Sequence, residues 1–193
     1  ARQYGVANGL NAVRVRSAAD WLGIVAGGHT YRETRAALAV LGLGSDDELR
    51  AAGLRLFQVG LLSPLDPAQL REFAGGLAEV IVVEEKQPTL EGTIRDALYP
   101  LADRPLIHGK SGPDGSPLFA RYGTLPADTI AAALRPRLAS RLAPARPAPL
   151  PPARPPMIPL PAERTPPFCS GCPHNPSTPA PPGPPAAAGL ACP

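Results

Sequence analysis

Residues 79–85, Glu-Val-Ile-Val-Val-Glu-Glu, decide the fold. Val80, Ile81, Val82 and Val83 are all β-branched, a class whose stiff side chains favour extended backbone and pack well on a pleated surface. The run shows no apolar-polar alternation, so the strand it predicts is buried on both faces, as in a parallel sheet covered by helices on either side. The flanking sequence repeats one unit around it. Upstream, Trp21–Ala26 (WLGIVA) reads as a short buried strand. Gly27-Gly28 follow, then a helix with Thr30 and Glu33 spaced as a capping box, Thr34, Ala37, Leu38 and Leu41 on one face, and Gly42 as its stop. Leu54–Val59 (LRLFQV) predicts a second strand. The next helix opens at Asp66-Pro67 with Gln69 completing a box and Leu70, Phe73, Ala74 and Leu77 inward. Downstream, Thr89 begins a helix with Leu90, Ile94, Leu98 and Leu101 inward, a weaker strand falls near Leu106-Ile107, and a last helix starts at about Pro126 with Ile130, Leu134 and Leu138 inward. Strands alternating with helices in this way predict an α/β domain: a three-layer, mostly parallel sheet with helices on both faces and right-handed crossovers. Residues 1–19 mix turn formers with Val13 and Val15 and read as a lead-in segment or short edge strand.

Proline marks where the packed domain ends. Of 28 prolines in 193 residues, 19 lie in residues 141–193, a composition that no packed core uses. The domain is therefore placed at 20–140, followed by a proline-rich, disordered tail: a semi-rigid linker at 141–167 and a cysteine-bearing segment at 168–193. Residues 1–140 carry 15 basic and 15 acidic side chains, so the net charge of +3 belongs to the tail. Its four arginines are spread among prolines without interleaved aromatics, which argues against nucleic-acid binding. No apolar run approaches the ~20 residues that span a bilayer and no signal peptide opens the chain, so a cytoplasmic location is expected and a membrane role is not. Both ends, Ala1 without an initiator Met and Cys192-Pro193, read as cut from a longer protein.

Several features invite chemistry. Gly23-Ile24-Val25-Ala26-Gly27-Gly28 follows a strand, but it lacks the G-x-G-x-x-G spacing of a dinucleotide site and reads better as a tight strand-to-helix turn, with His29 where the helix opens. Glu84-Glu85-Lys86 ends the strongest strand, the place where open α/β sheets put ligands and interfaces. Adjacent residues of a strand point to opposite faces, so two carboxylates there do not cooperate easily, and a salt bridge or subunit contact is favoured over acid/base work. His108, Lys110 and Asp114 read as part of a solvated glycine-containing loop over 109–123, whose length suggests a contact surface. Ser63 and Ser116 lack a nucleophile-elbow setting. The remaining feature is Phe168-Cys169-Ser170-Gly171-Cys172-Pro173-His174, with Cys192 further on. Two thiolates two residues apart can chelate one metal centre, and Ser170-Gly171 let the loop curl around it. Cys169, Cys172, Cys192 and His174 match a zinc ligand set by count, whereas an iron–sulfur cluster wants a fourth cysteine that this chain does not contain. Unliganded thiols in the tail remain the third reading.

Taken together, GIVAGGHTYRETRAAL (23–38) with LGL (41–43), LRLFQVGLLSPLDP (54–67), EVIVVEEKQPTLEGTIRDALY (79–99) and RTPPFCSGCPHN (164–175) resemble the thiamine-diphosphate-dependent 2-oxoacid:ferredoxin oxidoreductases, most closely the indolepyruvate ferredoxin oxidoreductase group. The resemblance is strongest in the VVEEK and FCSGCPHN segments. It implies that 20–140 is a transketolase C-terminal-like domain with an assembly role. It also implies that the segment from Phe168 opens a diphosphate-binding domain whose cysteines begin a set of [4Fe-4S] ligands: Cys169 and Cys172, with Cys192 as a third. Gly171 and His174 would then lie near the thiamine diphosphate and its Mg²⁺. The parent enzyme so implied decarboxylates an aryl 2-oxoacid oxidatively to an acyl-CoA and passes electrons to ferredoxin. Its partners are the remaining domains of the same enzyme, a second copy in a homodimer, coenzyme A and the 2-oxoacid. The alternative is a non-catalytic α/β interaction module with a proline-rich arm and a small structural zinc site.

Overall fold

A computed structural model describes residues 1–139 together with 171 and 172. The predicted linker at 141–167 lies outside the described residues, as do Cys169, His174 and Cys192. The chain divides between Pro152 and Ala153 into two units, and the fold below is that of the first.

The elements run α1 (Arg2–Ala7), β1 (Asn11–Val15), β2 (Leu22–Gly27), α2 (Gly28–Val40), α3 (Asp46–Ala51), β3 (Leu54–Val59), α4 (Pro67–Ala74), β4 (Glu79–Val83), α5 (Thr89–Leu98), β5 (Leu106–His108) and α6 (Ala127–Ala139). They form one five-stranded sheet of order β1-β3-β2-β4-β5. β2 pairs in parallel with both β3 and β4, β4 pairs in parallel with β5, and β1 joins the β3 edge antiparallel. The fold is thus α/β with a mostly parallel sheet, as the strand-helix alternation predicts. The short edge strand that residues 1–19 allowed is β1, and the six-residue helix α1 precedes it.

Each central strand feeds two cores because its side chains alternate between faces. On β4, Ile81 and Val83 join Leu22, Ile24, Leu54 and Leu56 beneath Leu38 of α2, Leu49 of α3 and Leu134 of α6. Val80 and Val82 face the other way, with Val25, Phe57, Phe73 of α4 and Ile94 of α5. Gly23 lies beneath α4 and the turn that follows it. A Cβ there would stand 2.6 Å from Leu77 and 2.7 Å from the Phe73 ring. Beneath the same helix, Arg55 is 5% exposed, a guanidinium in the apolar layer. Its Nε donates to Asp20 Oδ2 at 2.9 Å, and its Nη1 donates to two carbonyls at the C-terminal end of α4, that of Phe73 at 2.6 Å and that of the C-cap Gly75 at 2.9 Å. It therefore closes a helix end that needs acceptors satisfied.

Two capping boxes expected from spacing are not formed. α2 starts two residues before Thr30, with Gly27 as N-cap; Thr30 Oγ1 donates to Gly27 O at 2.8 Å, and Glu33 reaches away to accept from Ala127 N of α6 at 2.8 Å. At α4, Asp66 caps by accepting from Ala68 N at 3.1 Å, and Gln69 takes no part. A complete box does occur at α3, which the periodicity did not reveal: Ser45 and Glu48 exchange side-chain bonds with each other's backbone N–H.

Candidate functional site

The carboxyl ends of β2 and β4 lie side by side, but the chain leaves β2 for α2 on one face and β4 for α5 on the other. Strands that diverge in this way open a crevice, the place where open α/β sheets take their ligands. A cleft of about 490 Å³ occupies it, walled by Gly27–Thr30, by Val59, Gly60 and Leu62, and by the turn from Val83 to Leu90. The β3 wall is set by Asn11, 4% exposed. Its Oδ1 accepts from Gly60 N and Leu61 N, each at 2.9 Å, while its Nδ2 donates to Leu61 O at 3.1 Å.

β4 ends at Val83, and the adjacent carboxylates just beyond it part company. Glu84 turns to α5, where its two oxygens accept from Leu90 N and Glu91 N, both at 2.8 Å. A carboxylate on the first amides of a helix satisfies donors that lack partners within the helix and meets the positive end of its dipole. Glu85 turns the other way and accepts from Leu125 N at 3.2 Å. The two residues thus serve as main-chain anchors, and of the two favoured readings, a salt bridge or a subunit contact, the first is not formed among the described residues. Lys86 follows in the left-handed region, φ 54°, where the strand reverses toward α5. It lines the cleft with His29, whose Nε2 lies 3.8 Å from Glu33 Oε1.

Behind this wall stands Lys110, and here the solvated-loop expectation fails, because the residue is 4% exposed. Its Nζ donates to Glu84 O and, at 3.1 Å, to Ala120 O. Its backbone N–H donates to Glu91 Oε2 at 2.8 Å, and the other Glu91 oxygen accepts from Arg95. Burial pushes the Lys110 ammonium below the ordinary lysine range. The charge of Glu84 opposes that shift, Arg121 adds to it, and Glu91 and Glu85 oppose it. His108 belongs to β5 and is likewise largely buried, with Nε2 3.8 Å from Glu79 Oε1, the oxygen that also accepts from Arg137 Nε at 2.7 Å. Burial lowers its pKa, Glu79 pulls it up, and Arg137 and Arg95 lower it further. Asp114 remains exposed, accepting from Ser116 N and Oγ within the loop.

Of the metal-site residues read from the sequence, Cys172 is half-buried and Gly171 takes a left-handed φ of 78°. Among the described residues, no group of three His, Cys, Asp or Glu side chains could hold a metal ion. The carboxylates nearest the cleft are committed to main-chain N–H groups, so the described residues do not fit a Mg²⁺-diphosphate site. The cleft itself offers a polar wall, an exposed lysine and an exposed imidazole. Sequence reasoning placed Lys110 in a solvated loop, gave Glu33 to its own helix and missed the capping role of Glu84. The available signal for Lys110 was compositional: it is one of only two lysines beside seventeen arginines.

Residues 13–144 match the family model described as the indolepyruvate oxidoreductase domain. Among solved structures, the chain is similar to an inactive β4 tetramer of a split-gene transketolase, at 24% identity over 68% of this chain and 42% of that one, with a TM-score of 0.42. It is also similar to the 2-oxoglutarate:ferredoxin oxidoreductase from Magnetococcus marinus with 2-oxoglutarate, coenzyme A and succinyl-CoA bound, at 19% identity over 70% of this chain and 21% of that one, with a TM-score of 0.43. The chain thus spans less than half the length of either structure. No curated protein matches it by sequence. Among the described residues, no helix is long and apolar enough to cross a membrane.

Proposed function

Because this chain belongs to the indolepyruvate oxidoreductase domain family, matched over residues 13–144, we propose that it is the assembly domain of a 2-oxoacid:ferredoxin oxidoreductase together with the opening of the next domain. The parent enzyme converts an aryl 2-oxoacid to an acyl-CoA with coenzyme A and delivers electrons to ferredoxin. Thiamine diphosphate with Mg²⁺ supplies the carbanion chemistry in domains other than this one. The observation that carries the assembly role is the commitment of Glu84, Glu85 and Glu91 to backbone N–H groups around the cleft. Carboxylates spent on holding helices and loops are not at liberty to move protons. The carboxyl edge is then a docking face for the remaining domains of the same enzyme, which works as a homodimer. Cys169, Cys172 and Cys192 are three ligands of a [4Fe-4S] cluster whose fourth lies in the parent enzyme, with Gly171 and His174 beside the cofactor.

The test uses the full 193-residue chain. Given thiamine diphosphate, Mg²⁺, indolepyruvate, coenzyme A and an electron acceptor, it should show no steady acceptor reduction, and turnover would overturn the assembly reading. Reconstitution with iron and sulfide should give a cluster absorbance that Cys169→Ala or Cys172→Ala abolishes. Tight, colourless zinc uptake in its place would turn the reading toward an interaction module with a structural zinc site.

A further inference from the structure

Lys110 is the buried member of the chain's two lysines, and its surroundings explain why an arginine does not stand there. A guanidinium is a planar fork that needs acceptors in its own plane, whereas an ammonium is a compact point charge that oxygens can surround from several directions. The oxygens around Nζ are main-chain carbonyls, Glu84 O at the end of β4 and Ala120 O in the long loop. The carboxylates near it are engaged elsewhere: Glu84 with α5, Glu85 with Leu125 N, and Glu91 with the Lys110 backbone N–H and Arg95. Carbonyl oxygens that replace a hydration shell, with carboxylates set further out, are the chemistry of a monovalent cation site. Divalent ions take carboxylates as direct ligands. The loop closes on the same residue, since Leu118 N donates to Lys110 O at 2.9 Å and Phe119 is buried beside it.

We propose that the end of β4 and the segment around Ala120 form a monovalent-cation cage in which the Lys110 ammonium is the covalently tethered ion, and that this ion holds the Glu84–Gln87 wall of the cleft. Lys110 is then a positioning residue, acting through Glu84 O on the turn that leads into α5. This inference does not depend on the parent enzyme's reaction.

Lys110→Ala removes a fragment that n-propylammonium reproduces and leaves its space open. Thermal unfolding and amide exchange of residues 84–90 and 109–123 are followed in the chlorides of sodium, potassium, ammonium and n-propylammonium at equal ionic strength. In sodium the variant should melt below the unsubstituted chain and exchange faster in both segments. In n-propylammonium it should regain at least half of the lost midpoint, and in potassium or ammonium a smaller part, while the unsubstituted chain responds alike to all four salts. Lys110→Met, which lacks the charge and leaves no room for an ion, should melt low in every salt. Equal melting of the alanine variant in all salts, or a methionine variant as stable as the unsubstituted chain, would overturn the proposal. Should the alanine variant be unfolded in sodium, refolding read by Trp21 fluorescence replaces melting. Recovery with the alkylammonium or potassium supports the cage, and failure in every salt sinks it.

Discussion

Replacing Glu84 with alanine tests whether the end of β4 is an anchor or a reactive pair. The substitution leaves Leu90 N–H and Glu91 N–H, each bonded at 2.8 Å, without their acceptor at the start of α5. A hydrogen bond to a charged partner contributes about 1.5–3 kcal/mol net, and loss of a helix cap costs about 0.5–2 kcal/mol. Glu84 is only half-buried, so water replaces part of what is lost and the low end of both ranges applies. Two bonds at that level, with the small dipole contribution, come to about 2–3 kcal/mol. In a domain of this size, 1 kcal/mol moves the midpoint by about 3–5 °C, so Glu84→Ala should melt roughly 10 °C lower. Glu84→Gln keeps one acceptor oxygen and turns an amide N–H₂ toward the second donor, which places it between the alanine variant and the unsubstituted chain. Calorimetry gives the midpoints, and hydrogen exchange should show lost protection confined at first to the opening turn of α5. An alanine variant within about 0.5 kcal/mol of the unsubstituted chain, the usual range of surface substitutions, would refute the anchoring argument and return Glu84 to the pool of groups able to do chemistry.

Three further predictions concern buried titratable groups. Arg55→Ala leaves the fully buried Asp20 carboxylate without its cation and the Phe73 and Gly75 carbonyls without their donor, and should cost about 3–5 kcal/mol in urea unfolding. Burial raises the Asp20 pKa, but bonds from the Ser17 hydroxyl and N–H and from Arg55 outweigh it, so the folded value lies below the unfolded one. The stability this contributes is present above about pH 4 and lost as pH falls through the folded value, so Asp20→Asn should flatten the acid limb of the stability curve measured down to about pH 2. His108 titrates lower folded than unfolded, mainly because it is buried, so the unfolded chain takes up the proton first. Stability should therefore decline as pH falls from about 6.5 toward the folded value, and His108→Gln should remove that slope; an unchanged slope would assign it to other groups.

The alternation of strand and helix, the unbroken Val80–Val83 run and the glycine stop at Gly42 are legible in the sequence, because each depends on local backbone preference and on which faces are apolar. Gly42 indeed takes a left-handed φ of 83° just beyond α2. The sheet order, with β2 between β3 and β4, was not legible, since pairing joins residues far apart in the chain. Spacing alone assigned Glu33 to the start of its own helix. Packing of α2 against α6 instead carries its carboxylate to Ala127 N, 94 residues on, because a long side chain caps whichever amides lie nearest in space. Lys110 looked like a loop cation by its glycine-rich neighbours and is buried because the loop folds back over it. By itself the sequence determined the fold class and the resemblance that the family match bears out. Only the tertiary structure decided that the carboxylates at the end of β4 and around the cleft are anchors, because the job of a charged side chain is set by the partners that folding brings within hydrogen-bond reach.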